Sequence, residues 1–147
     1  MLPFKKKIVE ASNSVVHFLE CHEDNFIDLW EKSILLHDGD IHQQKVRENG
    51  YKMYDLVKRA LRNTISEGEM KQLAEKVAKE RMEAEINIGE FVYNNNVGRS
   101  IVVSYVFQSG LSRNDLQLII DKVNTYFDHF CFLVVSEYTS LKENEKC

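Results

Sequence analysis

Residues 86–136 read INIGEFVYNNNVGRSIVVSYVFQSGLSRNDLQLIIDKVNTYFDHFCFLVVS, and this run decides the fold. It carries only seven charged residues: Glu90, Arg99, Arg113, Asp115, Asp121, Lys122 and Asp128. Residues 1–85 carry 30. The first half places Phe91, Val92, Val97, Ile101, Val102, Val103, Tyr105, Val106 and Phe107 around most of a helix circumference. In the second half, Phe130 to Val135 has no polar side chain other than Cys131. Gly110 separates the halves, and Ser112-Arg113-Asn114-Asp115 has the spacing of a capping box with Asp in place of Glu. The expectation is two long helices, about 86–109 and 112–141. A helix apolar all round must be buried on all sides. In a short chain its own core covers one side, so the other needs a second chain. A homodimer is expected through Phe91, Val103, Phe107, Phe130, Phe132 and Val134. A monomer with an unusually central hairpin is the alternative.

Working outward, the rest also reads as helix. Residues 5–20 carry Ile8, Val9, Val15, Val16 and Leu19 largely at helical spacing. Residues 22–36 open on His22, Glu23 and Asp24, where acids suit the positive end of the helix dipole, and Gly39 stops them. A third helix, 43–64, sets Val46, Met53, Tyr54, Val57 and Leu61 on one face, with Gly50 as a weak helix former in its first turns. Ser66-Glu67-Gly68-Glu69 has capping-box spacing and starts a fourth helix. Nine of residues 69–85 are charged, which predicts shallow packing. The tail Lys142 to Cys147 is polar and expected to fray. No repeat, low-complexity tract or linker divides the chain, so residues 1–147 read as one all-α domain of six helices.

Composition bounds the function. One Pro and six Gly among 147 residues are too few for a turn-rich β fold. A net charge of −4, with Lys5, Lys6 and Lys7 as the sole basic run, argues against nucleic acid as the main partner. No stretch of about 18 apolar residues offers a membrane span, and the first residues lack a signal-peptide pattern. Three cysteines, at 21, 131 and 147, with no C-x-x-C, fit a reducing cytoplasm.

The candidate chemistry is sparse. His17 and Cys21 stand at i, i+4 but lack a second pair at metal-ligand spacing. His22 reads as a helix-start residue, His37 and His42 as loop flanks, and His129 as a helix-face residue. No H-E-x-x-H, G-x-S-x-G or glycine-rich phosphate loop occurs, so no catalytic constellation is expected. Arg99 is the only charge from Phe91 to Ser112, with Val92, Val102, Val103 and Val106 as helical neighbours. Its guanidinium keeps its charge and, if buried, needs an anion. The anion is either a carboxylate of another helix or a ligand. Asn94-Asn95-Asn96 before Gly98 marks a loosened turn beside a cavity, or else a close helix approach at Gly98. Tyr51, Tyr54, Tyr93, Tyr105 and Tyr126 face the core by pattern, and each buried hydroxyl needs a partner.

The order of two short helices, one medium, one charged and a long hairpin points to a globin-like fold rather than an up-down bundle. Asn25-Phe26-Ile27-Asp28-Leu29-Trp30 resembles the N-x-x-x-L-W opening of bacterial haem-free globin sensor domains. Glu85-Ile86-Asn87-Ile88-Gly89 resembles the start of their penultimate helix. Related domains occur in stressosome scaffold proteins and sporulation histidine kinases. The chain also resembles the stand-alone, plasmid-encoded sporulation-inhibitory proteins of the Bacillus anthracis group. That resemblance implies a homodimer that binds a fatty acid and a halide in place of haem and draws signal away from a sensor kinase. The residues support the absence of haem, since residues 66–85 contain no histidine to serve as proximal ligand. The residues themselves nominate Arg99, Tyr54 and Tyr105 for a carboxylate or chloride, with Met53, Val57 and Leu61 against an acyl chain. A stressosome-type scaffold without a ligand is the alternative function.

Overall fold

The structure, a computed structural model, describes residues 3–145, with side chains from residue 8. It contains six helices: α1 (Pro3–Cys21), α2 (Glu23–Ser33), α3 (Gln43–Leu61), α4 (Glu67–Glu83), α5 (Ile88–Gln108) and α6 (Arg113–Glu145). The described residues form no strand. The Lys5–Lys7 side chains and Cys147 fall outside the described residues.

The hairpin of α5 and α6 turns at Gly110, whose φ of +82° is a left-handed conformation suited to glycine. Ser112 Oγ accepts the Asp115 amide at 3.3 Å, as the capping pattern predicts. Ser66 likewise accepts the Glu69 amide at 3.1 Å and starts α4. Asn94–Asn96 leave α5 unbroken. A Cβ at Gly98 would stand 3.1 Å from Met53 Cε and 3.6 Å from Phe127 Cε1, so Gly98 permits the close approach of α5 to α3 and α6.

The core gathers Val15, Val16 and Leu19 of α1, Phe26 and Ile27 of α2, Tyr54, Val57 and Leu61 of α3, Val102 and Val106 of α5, and Ile119, Val123, Phe127 and Phe130 of α6. Tyr54 meets Phe26 edge to face, with ring centroids 4.4 Å apart. Buried tyrosine hydroxyls find carbonyls: Tyr54 donates to Leu19 O at 2.7 Å and Tyr126 to Met53 O at 3.2 Å. Tyr93, expected inside, is exposed instead.

The helix α6 runs on to Glu145, past the expected end near 141. Three further expectations are corrected. First, α2 ends at Ser33, not 36. The Leu35 amide donates to Asn94 Oδ1 at 2.8 Å and its carbonyl accepts from Asn94 Nδ2 at 2.9 Å, drawing the chain into an extended path at Ile34. Similarly, α3 ends at Leu61 because Asn63 takes a positive φ of 57°. Second, α4 is not shallow. Met70, Leu73, Ala74, Val77 and Ala78 form a stripe at helical spacing, and it packs more extensively on α6 than any other pair of helices does. Third, the second side of α5 and α6 is only partly apolar surface. Phe130 and Val134, expected at a dimer interface, lie inside this chain's own core, at 2% and 0% exposure. Phe91 and Val103 are half-buried against that core, while Phe107 and Phe132 are exposed.

Candidate functional site

Five helices converge on a cavity of about 50 Å³. Its walls are Trp30 of α2; Val46, Asn49, Gly50 and Met53 of α3; Val77 and Arg81 of α4; Phe91, Asn94 and Asn95 of α5; and Phe130 of α6. Trp30 reaches it because α3 carries no side chain at Gly50: a Cβ there would lie 2.6 Å from Trp30 Cζ3. The indole donates to the Asn94 carbonyl at 2.9 Å, which fixes the ring against α5.

The polar end is built from buried groups. Arg81 is 7% exposed and Asp40 is 7%. Arg81 Nη1 donates to Asp40 Oδ2 at 2.5 Å, and Asp40 Oδ1 accepts the His42 amide at 2.8 Å. Such a pair is costly to break on one side only. Arg81 Nη2 is buried with no hydrogen-bond partner, and so is Asn95 Oδ1. The Asn95 amide is oriented by Nδ2 donating to the Phe127 carbonyl at 3.3 Å. Two residues of the cavity wall thus each bury an unused polar atom, a donor on Arg81 and an acceptor on Asn95, and buried polar atoms ordinarily have partners. By contrast Asn49 is fully engaged, receiving Lys76 Nζ at 2.8 Å and donating to Glu80 at 2.8 Å.

The residues nominated from sequence are scattered. Met53 alone among the ligand candidates lines the cavity. Tyr54, Val57 and Leu61 are core residues. Burial raises the Tyr54 phenol well above its ordinary range, so the hydroxyl keeps its proton for Leu19 O. Tyr105 sits between α1 and α5, 5.3 Å from the His22 ring and 6.4 Å from Phe18. Arg99 lies on the outer face of the hairpin, where Nη2 donates to Asp128 at 2.5 Å and the guanidinium covers the Phe127 ring at 5.8 Å. The intramolecular carboxylate is therefore its partner in this structure. Phe91 and Phe130, nominated for the dimer, line the cavity instead.

The sequence reading passes over Arg81, whereas it marks Asn94–Asn96 as a turn beside a cavity, which Asn94 and Asn95 do line although the helix there is unbroken. Arg81 had a signal: it continues the stripe Met70, Leu73, Ala74, Val77 at the next i+4 step. Asp40, in a polar connector, had none. Among the described residues no group of three or more His, Cys, Asp or Glu is placed to hold a metal ion, and no helix is long and apolar enough to cross a membrane.

Comparison with known proteins gives consistent matches. Residues 12–140 match the family model described as histidine kinase N terminal. The Bacillus anthracis protein pXO2-61 is 26% identical over 125 residues, spanning 85% of this chain and 92% of that protein. The crystal structure described as the sporulation inhibitor pXO2-61 superposes with a TM-score of 0.83, covering 87% of this chain and 97% of that one.

Proposed function

This chain belongs to the histidine kinase N terminal family, and from that premise we propose that it is a ligand-holding sensor-type domain that restrains sporulation. In this reading it binds a fatty acid, a halide or both, and competes with a sensor histidine kinase for that signal. The family match and the likeness to a sporulation inhibitor support the sensor-like, sporulation-related role. One observation carries the ligand: two residues of the cavity wall, Arg81 and Asn95, each keep a buried polar atom, Nη2 and Oδ1, without a partner.

Volume limits how the ligand sits. About 50 Å³ is a third of the 150 Å³ that an engineered cavity uses for benzene. A halide or a carboxyl end fits as the side chains stand. An acyl tail needs Met53, Phe91 or Phe130 to turn aside, and methionine repacks readily. The same reading has two chains pairing on the outer face of the hairpin, where Arg99, Val103 and Phe107 follow at i, i+4, i+8 and Phe132 is 66% exposed.

Native mass spectrometry of purified protein, followed by organic extraction, tests both parts. The expected result is a two-chain mass with retained lipid. Protein without lipid whose thermal stability ignores added fatty acid and chloride refutes the ligand, and leaves an interaction module built on Phe107 and Phe132.

A further inference from the structure

We propose that Arg81 is a fork that couples cavity occupancy to the connector between α2 and α3, so that the connector, residues 34–42, reports the bound ligand. The inference rests on the ligand reading above and deepens it. One tine, Nη1, holds Asp40 at 2.5 Å; the other, Nη2, is buried without a partner, and Arg81 is part of the cavity wall. Asp40 organises the connector, since its second oxygen accepts the His42 amide at the entry to α3. One buried guanidinium thus serves two sites.

The ligand chemistry follows from the free tine. It takes a single hydrogen-bond acceptor carrying negative charge, which shares Arg81 with Asp40. A carboxylate end fits that tine, and a water donating to both can bridge it to Asn95 Oδ1, an acceptor on a residue of the same wall. Asp40 already neutralises Arg81. A second anion there lowers the attraction that each feels, and in a buried setting that competition is strong. The ligand therefore loosens Asp40, and with it the connector. Linkage makes the effect reciprocal: whatever frees Arg81 from Asp40 strengthens ligand binding by the same factor.

The test uses the full chain with decanoate, with 1-decanol as the matched chain lacking the anion, and with sodium chloride alone. Binding is read by calorimetry and the connector by amide hydrogen exchange. In unmodified protein decanoate should speed exchange at Leu35, Asp40 and His42 by threefold or more, with α6 unaffected. Arg81→Lys keeps a cation for Asp40 but has no second tine, so decanoate should bind about tenfold more weakly while decanol is unchanged. Asp40→Asn should bind decanoate about tenfold more tightly, with a connector that exchanges fast whether or not ligand is present. Chloride alone reproducing the connector response assigns the acceptor to a free halide and supports the fork. Decanoate binding with an unaltered connector, or no tighter binding by Asp40→Asn, overturns the inference alone. No binding of either probe to unmodified protein overturns the ligand reading, and this inference with it. Should Arg81→Lys fail to fold, Asp40→Asn decides.

Discussion

Gly50 shows how a residue can mislead when judged by propensity alone. In a helix interior glycine costs about 1 kcal/mol relative to alanine, so Gly50→Ala looks stabilising. In the fold the Trp30 ring lies where that methyl would go, 2.6 Å from it, and the indole is tethered to Asn94. Overpacking of this kind costs roughly 1–3 kcal/mol. Gly50→Ala should therefore lower the melting temperature; an unchanged or raised midpoint in calorimetry would show that Trp30 yields. At Glu69, hydrogen bonds from Arg59 and then Ser66 hold the carboxyl at about 2, against an ordinary 4.5. A depressed acid contributes stability that is complete above 4.5 and is lost as pH falls toward 2. Ser66→Ala should cost about 1 kcal/mol as a lost N-cap and move the Glu69 midpoint upward, measurable by carboxyl-carbon NMR titration. The capping serine was legible because its partner lies three residues away. Gly50 was not, because Trp30 is twenty positions distant and meets it only after α2 packs on α3.

At the scale of elements, five starts and the hairpin turn were legible from caps, glycines and periodicity, whereas the ends of α2 and α3 were not. Apolar periodicity runs on through Ile34 and Leu35, but a side chain 59 residues away in sequence captures the Leu35 backbone. Asn94→Ala removes both of those bonds, and the loss should cost about 1–3 kcal/mol. Amide exchange at Leu35 should accelerate far more than at Val57; equal acceleration across the chain would mean that Asn94 holds the whole fold rather than this junction. The charge density of α4 misled for a related reason. Its acids and bases are exposed or paired around an intact apolar stripe, with Glu80 taking Lys76 at 3.0 Å and Arg81 taking Asp40. Counting charges overlooks which face each occupies.

For the whole molecule, the all-α architecture and the family resemblance were legible, while the candidate site was mostly not. Patterning identifies apolar faces but cannot say which neighbour covers each, so core residues such as Tyr54 and Val57 were nominated beside the true cavity residue Met53. The cavity arises where five helices leave a gap, and Arg81 acquires its partner only through the connector fold. The exposed hairpin face supplies the assembly test. Phe132→Glu should leave helix content intact yet convert a two-chain sedimenting species to one chain, whereas Phe130→Glu should unfold the protein by burying an unpaired charge. A single-chain mass for unmodified protein at micromolar concentration refutes the pairing.

Cys131 lies one residue before Phe132 on that face, half-buried beside Arg99 and Asp128, and burial pushes its thiol up. Cys21, on the last turn of α1, is exposed. Because the thiolate is the reactive form, an alkylating reagent at neutral pH should mark Cys21 quickly and Cys131 slowly. The ratio of the two rates becomes a built-in stopwatch. If two chains cover the hairpin, dilution quickens the slow hand and leaves the fast one unmoved.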